Sequence, residues 1–401
     1  MPSLEPNVRE EALLGDPVAL TRAMVAIPSV NPELEAGGAG EEAMARQCGR
    51  WLERWGYAVE LKEVAPGRWN VVARRTGGGG EGRTLILNGH LDTVGVGGMR
   101  GSPFGGEVRE GRVWGRGSCD MKGGLAIILS TAAELSRLSH PGELVVALTA
   151  DEEHASLGMQ DFAGGGLRAD GAVVCEPTEL AVMPAHKGFL WVEAEFRGRA
   201  AHGSRPDQGV DAILHAARFL TALEPLGARL RGGPPHPLLT HPSFHTGTIR
   251  GGSAPSVYPD RCQLVLERRT LPGEAPSAVL REFQEVLDGV RAACPHVDGT
   301  LEAGLFRPGT EVPVDSSLVG SLLGAVREEG LVPRVEGMTA WVDAAFLNEA
   351  GVPAVCFGPG SIARAHGAEE WVPVEELEAG ARILTRFARS FLVGRVKTGE
   401  G

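Results

Sequence analysis

The 401-residue chain contains no run of about 18 apolar residues, so no membrane-spanning helix is expected. Residues 1–14 are polar and acidic and hold no apolar core of signal-peptide length. Positive charge is in deficit: 39 Lys and Arg stand against 51 Asp and Glu, a net charge of -12. No Lys/Arg cluster is interleaved with aromatics, so nucleic acid is not an expected partner. No CxxC pair and no short disulfide framework occur among Cys48, Cys119, Cys175, Cys262, Cys294 and Cys356. Cys119 and Cys175 each stand one residue before a candidate metal ligand. Unpaired thiols there favour a reducing compartment, and the expected location is the cytoplasm.

What is present is ordinary for a soluble globular protein, with 43% hydrophobic and 22% charged residues. The length suits two or three domains. Apolar periodicity predicts helices over 17–27, 41–55 and 121–138, and strands over 70–73, 84–87, 143–150 and 171–175. Such alternation implies an α/β layer with a mostly parallel sheet. From residue 188 the rhythm changes to strand 188–197, helix 209–223, strands 243–249 and 261–268, helix 275–293 and strand 300–306. That order is βαββαβ, a ferredoxin-like unit. Helices 316–329, 344–349 and 374–392 and a strand at 352–357 then resume the first pattern. The expected architecture is a mostly parallel-sheet α/β catalytic domain, 1–184 and 308–401, interrupted by a ferredoxin-like domain at 185–307.

Five residues are spaced like the ligands of a two-metal hydrolytic site: His90, Asp120, Glu153, Glu176 and His366. Divalent ions of hard or borderline character choose carboxylate and imidazole. Two ions need a bridging carboxylate and, on each ion, one further carboxylate and one imidazole; one Asp, two Glu and two His meet that count. Three of the five follow β-like runs, and ligands collect beyond the carboxyl ends of parallel strands. Asp92, in Gly89-His90-Leu91-Asp92, can accept the His90 ring N–H and fix its tautomer. Asp120 stands just before a helix, where Asp is also a favoured N-cap. Asp151-Glu152-Glu153 gathers three carboxylates, whose repulsion calls for cations. With Glu153 on a metal, Glu152 is free to act as general base. His202, in Ala201-His202-Gly203-Ser204, could donate to a developing oxyanion or be an exposed loop histidine. Arg269, with Arg268 nearly its equal, could fork onto a substrate carboxylate or form a surface ion pair.

Together these motifs resemble the di-zinc amidohydrolase and exopeptidase family of acetylornithine deacetylase, succinyl-diaminopimelate desuccinylase, aminoacylase-1 and carboxypeptidase G, from about Asp16 to about Phe391. The resemblance implies two zinc (or cobalt) ions, with His90 and Glu176 on one, Glu153 and His366 on the other, and Asp120 bridging. It implies that Asp92 orients His90, that Glu152 is the base, and that the inserted domain is a lid that makes a homodimer. The histidine matching His202 reaches the partner's active site in relatives. Gly358 to His366 and Ala150 to Glu153 most resemble the acetylornithine deacetylase branch, which acts in arginine biosynthesis. Gly360 and Ser256 join Arg269 as expected substrate contacts, although relatives often carry Asn near Ser256. The expected reaction is hydrolysis of the amide of an N-acyl amino acid. Desuccinylation and carboxypeptidase or dipeptidase activity rank behind it. A two-metal phosphoesterase and a non-catalytic binding homologue are the readings from other classes.

Overall fold

The structure is a computed structural model and describes residues 5–394. It divides into two compact units. The first runs to Pro184, resumes over Val312–Glu336, and resumes again from Val342; the second comprises Ala185–Glu311 and Gly337–Trp341. The second unit thus extends beyond residue 307 and takes back a later segment. Trp341 stands edge-on to Phe189 at 6.1 Å between ring centroids, and Arg307 lies over its ring. Those contacts tie the returning segment to the second unit although it lies 30 residues downstream in sequence.

The first unit is built on one large sheet. Across it run Ala58–Ala65, Arg68–Thr76, Glu143–Thr149, Thr84–His90, Gly171–Val174, Ala354–Cys356 and Val182–His186. The four strands from Glu143–Thr149 to Ala354–Cys356 are mutually parallel, and the flanking strands are antiparallel. The parallel strands are nearly all Val, Leu, Ile and Ala because helices cover them. Helices Gly123–Ser136 and Val374–Val393 supply Leu125, Ile127, Leu129, Leu384 and Phe387 to that core. The strand Ala58–Ala65 went unforeseen. It is an edge strand whose Glu and Lys face solvent, so its apolar period is weak.

The second unit is a four-stranded antiparallel sheet in the order Ser243–Gly251, Arg261–Thr270, Gly188–Arg197, Asp298–Arg307. Helices Ala212–Ala222 and Pro276–Ala293 bury Phe219 and Phe283 against Leu190, Val192, Phe196, Leu264 and Leu266. Strict alternation sends Trp191, Glu193 and Glu195 to the other face.

Candidate metal centre

Because the four central strands are parallel, their carboxyl ends share one edge of the sheet, and each end delivers site residues. Thr84–His90 ends on His90 itself. Glu143–Thr149 leads into Asp151-Glu152-Glu153, and Gly171–Val174 into Glu176. The loop after Ala354–Cys356 carries Gly360 and His366. Pairing of Asn88 with Val174 and of His90 with Thr149 keeps these ends level. A one-residue slip of Thr84–His90 would turn His90 to the opposite face.

Asp120 arrives differently. It sits in an irregular turn, Ser118–Lys122, with an extended backbone at φ -124 and ψ 98. The helix that follows starts at Gly123 and has no side-chain cap, so Asp120 is not an N-cap. Its carboxylate turns to the site instead. A Cβ on Gly124 would lie 2.0 Å from the Cys175 carbonyl oxygen, so only glycine lets the turn press on the strand end that carries Glu176.

The Asp120 carboxylate is shared by two imidazoles. Oδ1 lies 3.0 Å from His90 Nε2, and Oδ2 lies 3.3 Å from His366 Nε2. His366 Nε2 is also 3.0 Å from Glu153 Oε2. Ligand atoms of His90, Asp120 and Glu153 all fall within 4.8 Å of one another. His366 is the open wall of the site, its side chain 51% exposed, on a left-handed backbone at φ 61. Such a conformation in a non-glycine residue costs energy and gathers at functional sites. Glu176 is buried, and its Oε1 meets no hydrogen-bond donor among the described residues.

The electrostatics call for cations. Burial pushes the Glu176 carboxyl up to about 8, with Asp120, Asp343 and Glu153 adding to the rise against His90. Burial and then Asp120 push Glu153 up to about 6, against His366 and His90. Glu152 is raised well above the carboxylate range, first by burial and then by Glu176, Asp343 and Glu153, with His90 opposing. Burial acts on Asp120 too, but hydrogen bonds to His366 and His90 hold its carboxyl well below the usual range. His366 is pushed up to about 10 by Asp120 and Glu153. Carboxylates and imidazoles so arranged suit divalent ions.

Two expectations need correction. Asp92 does not meet the His90 ring mainly through its side chain. His90 Nδ1 is 3.0 Å from the Asp92 carbonyl oxygen, while the nearest carboxylate contact is 3.6 Å. The carboxylate serves the next loop instead: Oδ1 accepts from the Glu152 N–H at 3.1 Å, and Oδ2 from the Glu153 N–H at 3.2 Å. Asp151, read as a third charge needing a cation, turns away and pairs with Arg68 at 2.8 Å.

Residues that local pattern did not single out complete the centre. Glu370 accepts the Cys119 and Asp120 N–H groups at 3.0 and 3.2 Å and pairs with Arg116 at 2.5 Å. Asp343 is buried and acts electrostatically on Glu152 and Glu176. Only the acidic pair Glu369-Glu370 near His366 offered a sequence hint. Gly360 turns at φ 90 with its N–H on Glu376 and its carbonyl accepting from Glu179.

His202, Ser256 and Arg269 lie in the second unit. His202 Nδ1 faces the Ser204 hydroxyl oxygen at 2.8 Å and the Ser204 N–H at 3.2 Å. Ser256 accepts the Gly203 N–H through its carbonyl. Arg268 is fully buried on Glu274 and Glu282 at 2.9 and 3.2 Å. Arg269 is half-buried, on Glu267 and over the Phe189 ring.

Residues 86–390 match the sequence model of peptidase family M20/M25/M40. The chain belongs to this family. An acetylornithine deacetylase of Myxococcus xanthus is 34% identical over 355 residues, 86% of this chain and 90% of the relative. One from Proteus mirabilis is 32% identical over 386 residues, 93% of this chain and 96% of the relative. An M20 family metallo-carboxypeptidase from Sulfolobus solfataricus superposes with a TM-score of 0.77 at 18% identity, covering 94% of this chain and 99% of that one. A dinuclear metal-binding M20 peptidase from Bacillus subtilis gives 0.72 at 17%, covering 95% and 99%. At these identities the structural likenesses speak for the fold. As a family member the M20 protein is a metal-dependent hydrolase. Among its described residues no helix is long and apolar enough to cross a membrane.

Proposed function

We propose that this M20 hydrolase removes the acyl group of an N-acyl amino acid, with N-acetylornithine the first substrate to test and arginine biosynthesis the setting. The observation that carries the reading is the Asp120 carboxylate shared by His90 and His366, with the half-buried Glu152 close enough to His90 to interact with it electrostatically. The acetylornithine deacetylases among the relatives support the choice of acyl group. His90 and Glu176 would hold one zinc or cobalt ion, Glu153 and His366 a second, with Asp120 between them; the unpartnered Glu176 Oε1 suits that role. When bound, the ions supply Lewis acidity and bring the pKa of a coordinated water toward about 7.

Glu152 does the proton work. It takes a proton from the attacking water and passes it to the leaving amide nitrogen. A carboxyl raised by burial suits a group that must hold that proton for part of the cycle. His202 donates to the developing oxyanion. Arg269 is the partner for the substrate carboxylate, and Ser256 and Gly360 are further candidate substrate contacts. A homodimer through the second unit is supported by the exposed Ile213, Leu214, Ile249 and Val257 and by the edge strand Ser243–Gly251. Six free cysteines, five of them buried, favour the cytoplasm. Family membership sets the phosphoesterase reading aside.

A panel of N-acetylornithine, N-succinyl-diaminopimelate and dipeptides, run with zinc or cobalt, tests the proposal. N-acetylornithine should turn over fastest, and a chelator should stop it. Glu152→Ala should retain metal and lose nearly all rate. Preferential cleavage of the succinyl or dipeptide substrate would replace the deacetylase reading, and retained turnover in Glu152→Ala would remove the base.

A further inference from the structure

A buried polar chain runs from the rim of the first unit to the base. Arg68 opens the strand Arg68–Thr76 and clamps Glu41 with Nε at 2.8 Å from Oε2. Arg68 also reaches Asp151 Oδ1 at 2.8 Å. Asn31 Nδ2 donates to Asp151 Oδ1 at 3.0 Å and to Asp92 Oδ2 at 2.8 Å. Asp92 then receives the N–H groups of Glu152 and Glu153. Glu41, Asn31, Asp92 and Asp151 are completely buried, and Arg68 nearly so.

Asn31 is the link that chemistry makes hard to replace. Its Oδ1 accepts the Glu33 N–H at 3.1 Å, which fixes the amide so that the NH2 group faces both carboxylates. One buried amide therefore donates to two buried carboxylates. A carboxylate in its place would add charge and remove both donors. Its backbone is tied as well: the Asn31 N–H donates to the Thr93 carbonyl at 2.9 Å, next to Asp92. Asp151 is left-handed at φ 70, and its carbonyl receives the N–H of Ala155 and of Ser156. The loop carrying Glu152 is thus bound at Asp151 and again through Asp92.

We infer that Asn31 is a positioning residue of the reaction: it locks the Asp92 carboxylate onto the Glu152 and Glu153 amides and so sets where the base and its neighbouring ligand point. Arg68 and Asp151 hold Asn31 from behind. The inference rests on Glu152 being the base, and it adds a residue some 120 positions upstream in sequence. Removing the amide donors should disturb the loop without touching substrate.

The test is a double-mutant cycle on the zinc-loaded full chain with its best N-acyl substrate. Asn31→Ala should lower kcat by about 10- to 100-fold, the range seen for partners one shell behind a metal ligand, with KM within about two-fold. Asn31→Ser keeps one donor and should fall between it and the parent. In a Glu152→Gln background, Asn31→Ala should cost less than about three-fold more, because both changes act through one group. Zinc titration of the apo protein should show one of two sites weakened by about 10-fold, the one that uses Glu153. Thermal unfolding shows that each variant is folded at the assay temperature, and Asn31→Ser carries the test if Asn31→Ala is not. Unchanged kcat and zinc affinity in Asn31→Ser and Asn31→Ala would overturn the inference, as would losses that simply multiply in the double variant. Failure of the base reading looks different: Glu152→Gln would turn over normally, while the zinc titration would still decide the role of Asn31.

Discussion

Glu370→Ala removes an anchor on which the Asp120 turn depends. The parent carboxylate is buried, accepts two N–H groups at the Cys119-Asp120 turn and pairs with the buried Arg116. Breaking a buried ion pair from one side costs about 3–5 kcal/mol, because the other charge stays behind. Arg116 keeps the Gly95 carbonyl at 2.9 Å and a weak contact to Gly367 at 3.4 Å, which softens that cost. Two amides without acceptors add about 1–3 kcal/mol each where water cannot enter. These terms overlap, since a water admitted to the gap serves all three groups, and about 4 kcal/mol is expected in total. Glu370→Gln keeps the volume and one acceptor and should cost about 2 kcal/mol. Replacing both partners with Met should recover about half of the Glu370→Ala loss. The assay is urea unfolding of the chelated protein followed by tryptophan fluorescence, with zinc titration of each variant at low denaturant. Zinc affinity should fall by about 10- to 100-fold as the Asp120 turn loosens. A loss below about 1 kcal/mol in Glu370→Ala, or a double variant that loses the sum of the singles, would refute the reasoning.

In the second unit, His186 is buried, takes the Thr310 hydroxyl on Nε2 and faces the Lys187 carbonyl with Nδ1; burial lowers it to about 4. It stays neutral when folded and gains a proton near pH 6.5 when unfolded, so stability falls as pH drops from about 6.5 toward about 4, by about 3 kcal/mol in all. Urea unfolding at pH 7 and pH 5 should show about 2 kcal/mol of that loss in the parent and none of it in His186→Gln; equal losses in the two would exclude the histidine. Arg268→Ala should destabilise by about 3 kcal/mol because it empties a fully buried site against Glu274 and Glu282. Arg269→Ala should change stability by less than about 1 kcal/mol and act on KM, and the reverse pattern in unfolding and kinetics would exchange their roles. Zinc at about 1,000 times its dissociation constant should stabilise the apo protein by about 4 kcal/mol in the same unfolding experiment, with no effect expected if the cluster binds nothing.

Strand-end placement made the candidate ligands readable. His90, Glu153 and Glu176 each follow an apolar β run, and hydrophobic period alone says where such runs end. Parallel pairing then brings the ends to one edge without further instruction. Strand phase also separates Arg268 from Arg269. Adjacent residues point to opposite faces, but which face is covered depends on helices far away in sequence. Asp151 shows the limit of local reading. Three consecutive acidic residues look alike on paper, yet one turns to Arg68 and only its neighbours face the cluster.

Composition, hydrophobic period and the spacing of acidic and imidazole side chains were sufficient for the α/β layer, the inserted antiparallel sheet and the choice of candidate ligands, because these depend on neighbours along the chain. The partners that hold the ligands in place were decided by tertiary structure alone. Asn31, Arg68 and Arg116 carry no local signature and Glu370 only the hint of its pairing with Glu369, and their contacts to charged side chains span 27 to 254 positions. A buried polar group acquires its role from whichever unsatisfied donor or acceptor folding sets against it, and that cannot be read before the chain has closed.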